Sequence, residues 1–142
     1  MGRIRLELPK GFEFSTEIPV RINDINYGGH LGNDSLLSLT NEARLRFLKH
    51  NGFSESNIDG VSLIMIDAVL VYKSVGFYGD ILKVEVAMDN MTGYGFDLIY
   101  RITKRETGKE IARVKTGLAF FDYKRNTVVR VPERFRSNFA SE

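Results

Sequence analysis

The 142-residue sequence contains no cysteine, which excludes disulfides and thiolate metal sites but leaves the compartment open. Proline is scarce as well. Its three copies, Pro9, Pro19 and Pro132, lie near the ends, so the interior is free to form regular structure. Only two histidines occur, and without cysteines beside them they argue against a zinc site. No metal or cofactor is expected. No run approaches the ~20 apolar residues of a membrane-spanning helix. The opening MGRIRLELPK has no apolar core of a secretion signal, and Leu6 stands where a myristoylation signal needs Ser or Thr. The expectation is a soluble cytoplasmic protein with no membrane partner. Charge of one sign is also lacking: the net value is +2 and basic residues are interleaved with acids, so nucleic acid is not an expected partner. No linker, repeat or low-complexity tract divides residues 1–142, which read as one domain able to bury roughly two thirds of its unfolded surface.

What is present is a change of hydrophobic period. Leu36, Leu39, Ala43 and Phe47 recur at helical spacing, with Leu37 and Leu48 widening the stripe. Asn33 or Asp34 is the expected cap, Lys49 and His50 suit the negative end, and Gly52 suits a left-handed stop. After this helix the period falls to two. Val61 to Lys73 is a mostly apolar run, Leu82 to Met88 and Phe96 to Thr103 alternate, and Ala112 to Phe120 continues the pattern. Turn signals separate these runs at Gly79-Asp80, Thr92-Gly93, Thr107-Gly108 and Lys124 to Asn126. With Glu17 to Ile22 as an earlier strand, the reading is α+β: an antiparallel sheet of five or six strands wrapped around one long helix.

Chemistry concentrates between the first strand and the helix. Asp24, Asn26, His30, Asn33 and Asp34 fall within eleven positions, and Gly28 and Gly29 let the backbone bend toward a ligand. The loop runs directly into the helix, whose first-turn N–H groups carry partial positive charge suited to a carbonyl or an anion.

The order of residues resembles the hotdog-fold thioesterases of the 4-hydroxybenzoyl-CoA thioesterase type, through Asp24, Gly29, His30, Asn33 and Glu42-Ala43-Arg44. The likeness continues through Tyr72, Gly79-Asp80, Gly117 to Asp122 and Val131-Pro132. It implies an acyl-CoA or acyl-carrier-protein thioester hydrolase that forms a homodimer or a dimer of dimers, with its sites across the dimer interface. The same resemblance leaves a hotdog dehydratase or hydratase and a non-catalytic acyl-thioester sensor as alternatives. One position departs: the second aspartate of the signature, often nucleophile or base, is Asn26 here, and an amide does neither job. Glu42 is therefore the first carboxylate considered as base and Asp24 the second, with Asn26 orienting water or the carbonyl and His30 holding substrate or steering a proton. Gly29 and Asn33 would present main-chain N–H groups, and Tyr27, Leu31 and Phe77 would line the acyl site.

Each residue also has a plain structural reading. His30 can simply bond its loop. Glu42 precedes Arg46 by four residues, the spacing of a helix-surface ion pair. Asp24 can close an Asx turn. Asp67, within an apolar run, needs a partner if buried and reads best as one half of a structural pair. Other motifs fail: Ser35 stands where a calcium loop requires glutamate, Gly93-Tyr94-Gly95 lacks a third glycine and a following helix, and no Gly-x-Ser-x-Gly elbow occurs.

Overall fold

A computed structural model describes residues 2–139. The chain runs β1 (Phe14–Pro19), a 3-10 turn (Ile22–Asp24), α1 (Asn33–His50), β2 (Ser62–Tyr72), β3 (Ile81–Asp89), β4 (Gly95–Lys104), β5 (Glu110–Asp122), β6 (Thr127–Val129) and α2 (Glu133–Phe139). All pairings are antiparallel, in the order β1-β3-β4-β5-β2, with β6 against the end of β5. This is the α+β sheet-around-helix arrangement expected of the sequence. Alternation decides the faces. Leu82, Val84 and Val86, then Phe96, Leu98, Tyr100 and Ile102, then Ala112, Val114, Leu118 and Phe120 are all buried, and they share one core with Leu36, Leu39, Ala43, Phe47 and Leu48 of α1. Each large side chain so buried contributes about 1.5–3 kcal/mol before entropy is counted.

Two boundaries differ from expectation, each for a local reason, and one helix is additional. The first strand ends at Pro19, because the Arg21 backbone N–H donates to Asp24 Oδ2 at 2.8 Å and bends the chain into the 3-10 turn. Helix α1 has Gly32 as its cap, with Asn33 already helical, so neither Asn33 nor Asp34 caps it. Its end does follow the sequence: Gly52 sits at φ +84°, and the Gly52 and Phe53 N–H groups close back onto Lys49 and Leu48. Helix α2 was not foreseen. It starts just after Pro132 and sinks Phe135 among Phe53, Phe96, Phe120 and Phe139, with ring centroids 4.8–5.1 Å apart.

Asp67 lies at a bulge in β2, half exposed, and takes a 2.7 Å hydrogen bond from Lys115 Nζ, the structural pair its sequence context suggested. No helix among the described residues is long and apolar enough to cross a membrane.

Candidate active site

The loop between the 3-10 turn and α1 is tied at both ends. The Gly32 N–H donates to the Asp24 carbonyl at 3.0 Å and the Leu31 N–H to the Gly76 carbonyl at 2.8 Å, joining the loop to the segment after β2. Inside it, the Asn26 N–H donates to the His30 carbonyl, while Asn26 Oδ1 accepts from the N–H groups of Gly28 at 2.9 Å and His30 at 3.4 Å. Asn26 Oδ1 is thus an internal clasp. Its Nδ2 has no protein partner among the described residues and keeps two donors free.

Glycines locate what stands around this clasp. A methyl added at Gly28 would meet Asn26 Oδ1 at 3.2 Å and His30 Nε2 at 3.5 Å, so these two polar ends share one space. A methyl at Gly32 would meet Asp34 Oδ1 at 2.9 Å and Asn26 Cβ at 3.4 Å. The Asp34 carboxylate therefore reaches back over Gly32 at the start of α1, where it is exposed and outside the lining of the neighbouring cavity. A side chain at position 32 would push that carboxylate aside. The backbone N–H groups of Asn33, Asp34 and Ser35 have no acceptor among the described residues, as expected for a first helical turn, and they are the positive end of an 18-residue dipole.

Beside the loop opens a cavity of about 280 Å³, lined by His30, Leu31, Asn33 and Leu36 and, from the facing side, by residues 72–76 and Ile111. Leu31, Asn33 and His30 thus come together along one cavity. Tyr27 points fully into solvent and Phe77 is half exposed; neither lines this cavity.

The two carboxylates first considered as bases lie elsewhere. Asp24 is 4% exposed and bound to the Arg21 backbone and guanidinium. Burial opposes its ionisation, but the hydrogen bonds and charge of Arg21 overcome that cost and hold the carboxyl below its ordinary range. A depressed folded pKa stabilises the fold above the unfolded value of about 3.9, and that contribution is lost as pH falls through the lower folded value. Glu110, held down by its hydrogen bond from Arg113, acts in the same direction. Stability should therefore decline below about pH 4, and Asp24→Asn should reduce the decline; equal losses in parent and variant, read as denaturant midpoints at about pH 5 and about pH 3, would overturn this assignment.

Glu42 is half exposed and accepts from Arg46 Nε at 2.8 Å, while Arg46 also reaches Thr16 Oγ1 and the Glu17 carbonyl in β1. Nine residues separate it from Asn33, about 13 Å along the helix and on its opposite face. Within one chain it does not reach the loop.

A family model described as the Thioesterase-like superfamily matches residues 20–139. The chain belongs to that superfamily. Among solved structures it is similar to Slr0204, a 1,4-dihydroxy-2-naphthoyl-CoA thioesterase from Synechocystis, with TM-score 0.82 and 20% identity over 90% of this chain and 96% of that one. The BH1999 gentisyl-coenzyme A thioesterase matches with TM-score 0.78 and 18% identity over 87% of this chain and 99% of its own. At such identities the likeness is one of fold. A protein of Aquifex aeolicus (strain VF5) that carries a provisional esterase name is 27% identical over 94 residues, 65% of this chain and 70% of its own.

Sequence reasoning placed Asp34 in the polar cluster only as a cap candidate, and it passed over Lys73, Val75 and Ile111 as cavity walls. Asp34 had a visible signal, since it lies in the same eleven-residue polar stretch. The wall residues had none, because they meet the loop only through long-range pairing.

Proposed function

We propose that this member of the superfamily hydrolyses acyl-CoA thioesters. The observation that carries the reading is the junction of an apolar cavity with the unpaired first-turn N–H groups of α1 and the Asn26–His30 loop. A thioester carbonyl at that junction would accept from the helix N-terminus, a donor arrangement worth roughly 3–4 kcal/mol of transition-state stabilisation per hydrogen bond in comparable enzymes. Asp34 is the carboxylate of the first turn of α1, reaching back over Gly32, and in this reading it takes a proton from water as the water oxygen bonds to the carbonyl carbon. The oxyanion rests on the Asn33 N–H. Collapse breaks the C–S bond, and the departing thiolate recovers the proton held on Asp34. The Asn26 Nδ2 donors orient the water, and His30 closes the polar side of the cavity. Asp24 becomes a loop anchor, and Glu42 a surface partner of Arg46.

A screen of acyl-CoA thioesters with thiol detection tests the reading. Turnover supports it; acyl-thioester binding without thiol release would favour the sensor, and neither result would eliminate both. A cytoplasmic setting, where CoA thioesters are made and used, belongs to the same proposal.

Assembly is part of the proposal as well. Strand β2 is 11 residues long and bonded on one side by β5, while its other side is unpaired among the described residues and exposes Ile66 (61%). A long apolar edge is a template for pairing, and a two-fold axis would satisfy two such edges at once. The protein should run as a dimer or a dimer of dimers. Ile66→Lys, which puts a charge on that edge, should shift it toward monomer in light scattering; a folded monomeric parent at micromolar concentration would refute the idea.

A further inference from the structure

Next to the apolar cavity lies a second recess of about 450 Å³, and its walls are cationic. Arg3, Arg5, Lys73 and Arg113 line it, with Glu7 as the single acid. Lys73 lines both cavities, so the two meet at that residue. The cations are not equally free. Arg113 is engaged by Glu110 at 2.7 and 3.3 Å and donates to the Leu6 carbonyl at 3.1 Å, which fastens the N-terminal segment across the sheet. Arg3, Arg5 and Lys73 form no ion pair among the described residues, whereas Arg113 on the same sheet has one and Arg101 and Lys115 have two each. Lys73 is also held in place: its backbone N–H and that of Ser74 donate to the Ile111 carbonyl, and the Ser74 hydroxyl donates to the Glu110 carbonyl.

We propose that this recess seats the phosphates of the CoA nucleotide through Arg3, Arg5 and Lys73, so that free CoA thioesters rather than an acidic carrier protein are the substrate. The inference rests on the thioesterase reading, and its geometry follows from the loop. The Leu31–Gly76 hydrogen bond fixes the reacting end near Gly76, and Lys73 lies three residues back, at most about 10 Å away even if the chain between were fully extended. The arm joining the CoA sulfur to its diphosphate is as long as four to five extended residues, roughly 15 Å. A thioester at the loop therefore delivers its diphosphate to Lys73 and the recess beyond. The cations line a concavity that a nucleotide enters, with Glu7 the one acid among four cations.

Calorimetry with adenosine 3′,5′-bisphosphate, the nucleotide end of CoA, tests the recess without any hydrolysis. The parent should bind it with an affinity that weakens as salt rises, and Arg3→Gln/Arg5→Gln should weaken binding about tenfold or more. The ratio of kcat/KM for acyl-CoA over the matching acyl-pantetheine should fall by a similar factor, and Lys73→Gln should lower it as well. Lys124→Gln, which removes one charge in the β5–β6 turn, is the control for net charge. Absent nucleotide binding, or an unmoved ratio, overturns the proposal. So does preferential hydrolysis of acyl-carrier protein that the arginine variants alone suppress. Nucleotide binding without turnover of any thioester would keep the recess and sink the hydrolase reading.

Discussion

Asp34→Asn should lower kcat for acyl-CoA hydrolysis by about 10²–10⁴, the usual size of a general-base contribution, with little change in KM. The substitution keeps the shape of the side chain that folds back over Gly32 and removes only its ability to accept a proton. Losing a negative charge from the first helical turn costs about 0.3–1 kcal/mol of stability, too little to unfold the protein and so separable from the rate effect. Glu42→Gln, by contrast, removes an exposed ion pair worth a few tenths of a kcal/mol and should leave the rate within about threefold. Steady-state kinetics on the two variants decide between the carboxylates. If Glu42→Gln is the dead enzyme and Asp34→Asn is active, the assignment is wrong, and the base must reach the loop from another chain, because Glu42 points away from it within its own.

The largest loss of stability is expected from Phe135→Ala, at about 3–5 kcal/mol. Phe135 is fully buried, and four aromatic rings close around it from the loop after α1, from β4, from β5 and from α2 itself. Truncation leaves a cavity that rings held by two strands cannot collapse to fill. It also removes the residue that docks the short α2, which has no stability of its own at seven residues. Thermal unfolding should begin some 10–15 °C lower. Ser137→Ala on the same helix, which loses only a long exposed hydrogen bond to Glu133, should change the midpoint little. A Phe135→Ala protein that melts with the parent would mean that α2 is not part of the cooperative fold.

Helix α1 and the long strands were legible because each is written in a local period, whereas the seven-residue α2 is too short to show one. Leu36, Leu39, Ala43 and Phe47 form one stripe at helical spacing, and Leu82, Val84 and Val86 alternate with polar neighbours as a one-faced strand must. The polar cluster from Asp24 to Asp34 was legible too, since loop glycines next to a helix start mark a place where backbone can approach a ligand. Roles within that cluster were not. Asp24 and Asp34 are the same residue type ten positions apart; one faces Arg21 and is spent on the turn, while the other is exposed at the first turn of α1 and reaches back over Gly32. Glu42 looked available until the helix face it occupies was known, and Lys73 carried no local mark at all. Sequence by itself determined the buried stripe of α1, the alternating faces of the central strands and which loop is polar, because those depend on spacing along the chain. The tertiary structure decided which carboxylate is free, which lysine joins an apolar cavity to a cationic recess and which strand edge is left open, because each depends on pairings between segments tens of residues apart.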